Sequence, residues 1–196
     1  MLTREQLLAM FRKSNALLRG HFELSSGLHS GHYFQCAQVM QHPTYAAAIG
    51  REIARRFRSA KPTVVVGPAA GGIIPAFATA SALNARALYS ERVDAEMQLR
   101  RGFTVSKKDR ALLIEDAITT GESARKVATL IESFGAKVVG ICAIVDRSGG
   151  KVRFPRRKFS RLFSLAFETF LPSECPLCSE QVPVTRPGRL PGKSVL

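Results

Sequence analysis

Residues 112–123 read LLIEDAITTGES, and the fold turns on them. Leu112, Leu113 and Ile114 form a short apolar run of the length expected for a buried strand. Two adjacent acids, Glu115 and Asp116, follow, then Ala117 and Ile118. Thr119, Thr120 and Gly121 make a polar turn, and Glu122 and Ser123 open a helical pattern over about 122–134. In an open α/β sheet, ligands bind at the carboxyl ends of strands. A helix N-terminus there offers unpaired N–H groups and partial positive charge to a phosphate. Gly121 lets the main chain approach closely, and the hydroxyls of Thr119, Thr120 and Ser123 add donors. The acid pair suits sugar hydroxyls, or a magnesium ion carried on a second phosphate. The plainer reading is a helix cap beside a solvated acidic turn; the complete order of strand, acids, hydroxyl turn and helix argues against it. Neither the P-loop nor the Rossmann glycine pattern is present.

Outward from this segment, strands and helices alternate. Thr63–Val66 is a β-branched run closed by Gly67 and Pro68, and Gly71-Gly72 precede a small-residue helix over 72–83. Strands are expected at 86–89, 111–114 and 138–145, and a helix at 43–58 with Pro43 in its first turn. Thr3 and Gln6 fit a capping box, and the helical spacing of Leu7, Leu8, Phe11 and Leu18 predicts a helix over 4–18, ended by Gly20. Residues 22–36 read as short extended pieces around a polar turn. This alternation is the mark of an α/β domain with a largely parallel sheet. No internal repeat or linker interrupts it. One domain over 1–172 is expected, followed by an irregular tail over 173–196.

Composition narrows the function classes. The chain has 196 residues, 45% hydrophobic and 22% charged, enough apolar content for one real core. No apolar run approaches a membrane span, and the charged N-terminus does not read as a secretory signal. Four cysteines are too few for a disulfide scaffold, so a cytoplasmic location is expected. Lys and Arg number 29 against 15 Asp and Glu, a net charge of +14. Such a field attracts polyanions, whether nucleic acid or small multiply phosphorylated substrates.

The 112–121 segment resembles the fingerprint of the type I phosphoribosyltransferases: a hydrophobic strand, two acids, two intervening residues, then Thr-Thr-Gly. The resemblance implies that Ala117, Ile118, Thr119, Thr120, Gly121, Glu122 and Ser123 hold the 5′-phosphate of phosphoribosyl pyrophosphate (PRPP), with Glu115 and Asp116 on the ribose hydroxyls. It implies a central, mostly parallel sheet flanked by helices, with a small hood contributed by residues 1–40. The turn at 67–72, GPAAGG, is similar to the family's second loop, which brings Ala70 and Gly71 to the pyrophosphate. Mg²⁺ is implied as the cofactor, held by PRPP itself with no direct protein ligand, or through a water to Asp116.

Three further segments resemble the orotate phosphoribosyltransferase branch. They are 20–30, GHFELSSGLHS, with Tyr33-Phe34; Asp146-Arg147 at the end of a long strand; and Cys175-Pro176-Leu177-Cys178, seen in a bacterial subgroup. The branch implies that Ser26, Tyr33, Phe34, Thr119 and Arg147 bind orotate. An arginine can grip the orotate carboxylate bidentately, a bond that uracil could not return. The plainer reading of Arg147 is a surface arginine paired with Asp146. The implied activity is transfer of the phosphoribosyl group from PRPP to orotate in pyrimidine nucleotide synthesis.

The chain departs from the family at its lysines. Segment 90–104, SERVDAEMQLRRGFT, should be the family's mobile cationic loop, reaching the neighbouring site of a homodimer. Glu91-Arg92 stands where an Arg-Lys pair is customary, and Gly71 and Ser25 stand where two other lysines are. Arg92 is assigned the catalytic, charge-neutralising role alongside Asp116. Arg100-Arg101 has a plainer reading as a solvated hairpin. Two rivals stay open: a phosphoribosyltransferase for another base, and a PRPP-sensing or RNA-binding regulator that lost turnover.

Two other signals are weighed lower. Cys175-x-x-Cys178 is half of a zinc ribbon, and every histidine precedes it by more than 130 residues; two free thiols or a local turn are expected instead. His29-x-x-His32 reads as a polar loop. Segment 147–161 holds seven Lys and Arg and no acid; a solvated basic face is expected, with Phe154 and Phe159 packing rather than stacking on bases. No membrane or nucleic-acid partner is expected.

Overall fold

The computed structural model describes residues 1–24 and 26–187. Ser25, one of the lysine-replacing positions, and the last nine residues of the tail lie outside the described residues.

A six-stranded sheet forms the body, in the order β5-β4-β3-β6-β7-β8. Its strands are β3 (Val64–Pro68), β4 (Arg86–Val93), β5 (Glu96–Leu99), β6 (Arg110–Ile118), β7 (Lys137–Asp146) and β8 (Phe159–Ser164). All neighbours run parallel except β4 and β5. The central strands are near-continuous apolar runs because both faces are covered. Val65, Leu112, Ile114 and Cys142 face one core. Val64, Val66, Leu113 and Ile141 face the other. On the first face lie α3 (Pro43–Phe57) and α4 (Ile73–Leu83); on the second lies α5 (Glu122–Ser133), through Ala124, Val127, Ala128 and Ile131.

The chain therefore leaves β3 toward one edge through α4, and leaves β6 toward the other edge through α5. The carboxyl ends of β3 and β6 flank the point where the winding reverses, which is where an open α/β sheet forms its ligand crevice.

The hood is an antiparallel pair, β1 (Leu17–Glu23) and β2 (His29–Phe34), beneath α1 (Arg4–Lys13) and a short α2 (Cys36–Met40). Phe11 anchors it. Its ring centre lies 4.7 Å from that of Phe34 and 5.4 Å from that of Phe163 in β8. Thr3 and Gln6 do form the capping box. The helix ends at Lys13 rather than 18, because the Ser14 hydroxyl turns back to the Met10 carbonyl and Asn15 takes a left-handed φ of 52°; Leu17 and Leu18 then enter β1.

The sequence does not signal α2, β5, β8 or the helical turns of the tail. β8 lies in the basic segment, where Phe159 sits against Phe154 at 5.0 Å, a packing role for both rings. The tail carries a helical turn at Pro172–Glu174 and α6 (Pro176–Ser179), and it docks on the hood. His29 and Phe170 exchange two 2.9 Å main-chain hydrogen bonds, and Thr185 donates to the His21 carbonyl at 2.7 Å.

Candidate active site

β6 extends through the acid pair to Ile118, so Glu115 and Asp116 are strand residues rather than the start of a loop. Gly121 follows with φ +76°, a left-handed turn that swings the chain into α5. A side-chain carbon there would meet Val152 at 2.9 Å and Phe154 at 3.1 Å, so glycine is required by space as well as by conformation. Among the described residues, the N–H groups of Thr120, Gly121 and Ser123 find no acceptor, whereas that of Glu122 donates to Thr120 Oγ1 at 3.3 Å. They open onto a cavity of about 240 Å³ lined by Gly71, Arg92, Glu115, Asp116 and residues 117–123. Three orphan donors at a helix N-terminus are an anion site.

The acids close one wall of that cavity. Asp116 Oδ1 accepts the Ala117 N–H at 2.7 Å, and its other oxygen faces Gly71. Glu115 is 6% exposed; burial, and then the Asp116 charge, push its pKa up to about 8. Burial also raises Asp116, against the pull of Arg147. Desolvated carboxyls of this kind are poised to accept hydroxyls or a hard cation.

A second cavity, of about 600 Å³, adjoins the first and shares Arg92, Thr119, Thr120, Glu122 and Ser123 with it. Its far wall carries Ser26, Tyr33 and Arg147. The Arg147 guanidinium lies over the rings of Tyr33 and Phe167, 5.5 and 5.8 Å from their centres, while the main-chain N–H of Arg147 donates to the Ile118 carbonyl at 2.7 Å. Asp146 is not its partner. That buried carboxylate accepts Ser148 at 2.6 and 2.9 Å and lies 3.5 Å from Arg161. Arg147 is thus free to face the cavity, and the plainer reading of it fails.

Of the sequence-derived site residues, the two cavities gather all but two. Phe34 is corrected: at 2% exposure it packs on Phe11 in the hood core, because neighbours in a strand point to opposite faces and Tyr33 takes the cavity side. Ala70 is exposed beside the cavity mouth, between the lining residues Ala69 and Gly71. The segment expected as the mobile loop, 90–104, carries regular structure in this conformation. Its core, Ser90 to Leu99, is a paired hairpin turning at Asp94 and Ala95, both at positive φ. Lys126 of α5 donates to the Ala95 carbonyl at 2.9 Å. Arg92 lines both cavities of its own chain, whereas Arg101 pairs with Glu91 at 3.0 Å on the surface.

The structure adds residues that the sequence reading missed. Glu23 and Arg186, joined by a 2.6 Å hydrogen bond, line the second cavity with Pro187, and Phe167 backs Arg147. The tail reaches the cavity only through its docking on the hood, a long-range arrangement with no local signal. The same docking brings the two free thiols up against two hood histidines. His21, His29, Cys175 and Cys178 bring four ligand atoms within 4.8 Å of one another.

The phosphoribosyl transferase domain family model matches residues 35–171. A protein of Caldanaerobacter subterraneus named orotate phosphoribosyltransferase is 45% identical over 185 residues, 94% of this chain and 97% of that relative. One of Carboxydothermus hydrogenoformans with the same name is 47% identical over 184 residues, 93% and 96% of the two chains. Among solved structures, Mycobacterium tuberculosis orotate phosphoribosyltransferase in complex with inorganic phosphate superposes with a TM-score of 0.67 at 24% identity, covering 83% of this chain and 95% of that one. The Trypanosoma brucei adenine phosphoribosyl transferase complex reaches 0.63 at 16%, covering 84% and 82%. At those identities the superpositions speak for the fold alone.

Proposed function

This chain belongs to the phosphoribosyl transferase family, and on that premise we propose that it transfers the 5-phosphoribosyl group of PRPP to orotate, forming orotidine 5′-monophosphate and pyrophosphate for pyrimidine nucleotide synthesis. The observation that carries the reading is Arg147, half-buried over Tyr33 and Phe167 on the wall of a cavity continuous with the amide cradle. A guanidinium so desolvated calls for an anionic partner. Orotate presents a carboxylate beside its attacking ring nitrogen.

The roles follow from the layout. The N–H groups of Thr120, Gly121 and Ser123 and the hydroxyls of Thr119, Thr120 and Ser123 seat the 5′-phosphate. Glu115 and Asp116 accept the ribose hydroxyls. Ala69 and Gly71 offer backbone to the pyrophosphate, and Arg92, between the two cavities, faces the charge that grows as it leaves. The orotate nitrogen bonds to C1′ and loses its proton while the C1′–oxygen bond to pyrophosphate breaks, through a transition state of oxocarbenium character. Positioning and fixed charge supply the rate. An arginine stays protonated, so Arg92 acts by charge and not as a proton donor.

Magnesium fits the donor set. Two carboxyls whose pKa values are raised by burial, one of them also by the other's charge, gain from a nearby cation, and hard oxygens suit Mg²⁺. Bound with PRPP, the ion would neutralise charge on the departing pyrophosphate; Asp116 and Glu115 are the residues beside it. We place the active protein in the cytoplasm as a homodimer; among the described residues no helix is long and apolar enough to cross a membrane. The exposed Ile74 and Phe77 of α4, at 47% and 66%, support a self-association surface.

The test is direct. Purified protein with Mg²⁺, PRPP and a panel of bases should release pyrophosphate with orotate alone. Release with adenine or guanine instead would identify a purine enzyme. Salt-sensitive RNA binding without release would identify a regulator.

A further inference from the structure

We propose that His21, His29, Cys175 and Cys178 bind one Zn²⁺ as a closed structural site that fastens the tail to the hood. His21 lies in β1 and His29 in β2; Cys175 caps the N-terminus of α6 and Cys178 lies within it. Nε2 of His21 is 2.8 Å from Nδ1 of His29 and 3.5 Å from the Cys175 sulfur. The Cys178 sulfur is 3.7 Å from the first nitrogen and 3.3 Å from the second. Ligands at ~2.0–2.3 Å from a tetrahedral zinc lie roughly 3.3–3.8 Å apart; the three sulfur–nitrogen distances above already fall in that range, the imidazole pair would open by about half an ångström, and all four atoms lie within 4.8 Å of one another.

A second observation fixes the direction of the lone pairs. Nδ1 of His21 is 2.7 Å from the Val182 carbonyl oxygen. A carbonyl only accepts, so Nδ1 carries a proton, and in the neutral ring that a metal would bind Nε2 directs its lone pair into the cluster. A ring N–H held on a backbone carbonyl is the usual support of a zinc-bound histidine. His21, His29 and Cys175 are buried at 2%, 6% and 1% exposure. Two thiolates balance the charge of one Zn²⁺, so the loaded site is neutral and suits that burial. Two nitrogens and two sulfurs in a tetrahedral arrangement select zinc over the harder divalent ions. Four protein ligands leave no open position, which makes the site structural and separate from the proposed transfer chemistry.

What the ion would hold is specific. The tail crosses the hood between Phe170 and Thr185 and delivers Arg186 and Pro187 to the wall of the second cavity. Cys175 and Cys178 lie within that crossing, so zinc would pin its middle to β1 and β2 through His21 and His29.

The test is metal analysis of the full chain. Protein from zinc-supplemented medium, freed of loose metal, should retain about one zinc per chain. Cobalt in its place should give a thiolate charge-transfer band and tetrahedral ligand-field bands. Cys178→Ser, at the most accessible of the four positions, should lower zinc content roughly tenfold or more and abolish the charge-transfer contribution of that sulfur. Chelation should lower the melting temperature of the native chain but not of Cys178→Ser. A metal-free native chain, a Cys175–Cys178 disulfide in the protein as purified, or equal zinc in native and variant would overturn the proposal. If the variant does not fold, zinc stoichiometry and the cobalt spectrum of the native chain still decide. None of these readouts depends on which base the enzyme uses.

Discussion

A methyl group on Gly71 would overlap Oδ2 of Asp116 and come within 2.5 Å of its Cγ. The loop after β3 and the acid pair on β6 are therefore in direct contact across the point where the sheet reverses its winding. Any side chain at position 71, the family's customary lysine included, would have to displace that carboxylate. Turning aside would cost Asp116 the hydrogen bond that Oδ1 accepts from the Ala117 N–H. Gly71→Ala should break that bond and misplace the acid proposed to hold the ribose. We expect kcat/KM for PRPP to fall roughly 10- to 100-fold, about 1.4–3 kcal/mol, with the melting temperature within a few degrees of native. Steady-state kinetics at saturating orotate check this; native kinetics would show that Asp116 is not positioned by the glycine.

Arg147→Ala should separate base recognition from PRPP binding. Removing a charge-assisted bond to the orotate carboxylate costs about 2–5 kcal/mol, so kcat/KM for orotate should drop at least 30-fold while PRPP affinity, measured by calorimetry, stays near native. Arg147→Lys should recover part of the loss, because a lysine returns the charge but not the planar fork. Equal losses for both substrates would assign Arg147 to the fold and not to the base.

How much of this was legible in the sequence depends on distance along the chain. The β6–α5 connection was readable because its signals are adjacent: an apolar run, two acids, hydroxyls and a glycine whose left-handed turn is local. Tyr33 and Phe34 were read as one motif, yet strand alternation sends only one of them to the cavity. Cys175 looked like half a site because His21 is 154 residues away, a contact made by the tail docking on the hood. The hairpin at 90–99 hid its turn, since Asp94 and Ala95 adopt positive φ without a glycine. Contacts that close long loops leave no periodic trace in the sequence.

Glu115 should give the protein an unusual alkaline weakness. Its carboxyl is pushed up to about 8 from an ordinary value of 4.5. Below 4.5 it is protonated whether the chain is folded or not, and it sets no penalty. As pH rises from 4.5 to 8, the unfolded chain releases a proton that the folded chain keeps, so stability falls; above 8 the full loss persists, at most a few kcal/mol. Glu115→Gln removes this titration. Thermal melts from pH 5 to 9 should show the variant gaining on native protein as pH rises. Parallel profiles would mean that Glu115 ionises normally.

Glu52 has the opposite sign. It is buried in α3, accepts Arg55 at 2.8 and 3.0 Å, Arg56 at 2.9 Å and the Leu2 N–H at 3.3 Å. The Arg55 bond foremost lowers its pKa to about 2. Its contribution is present above the ordinary value of 4.5 and is lost as pH falls through 2. Allowing for screening at the half-exposed Arg55, Glu52→Gln should cost roughly 2 kcal/mol at pH 7 and almost nothing at pH 2. Urea unfolding at the two pH values measures the difference.

Phe77 is 66% exposed on α4, beside Ile74 and above a groove of about 410 Å³ floored by Met40, Pro43 and Ala46. Apolar side chains scattered singly need no partner, but a large aromatic next to a second exposed aliphatic over an apolar groove is the composition of an interface centre. A second copy of the chain is the occupant that the proposed homodimer supplies. Placing a charge at the centre of such a patch leaves it buried and unpaired in the dimer, while the free monomer solvates it without cost. Phe77→Glu should therefore convert a dimer to a monomer in sedimentation velocity at micromolar concentration, with an unchanged circular dichroism spectrum. A native chain that already sediments as a monomer at that concentration, or a variant that stays dimeric, would remove α4 from the interface.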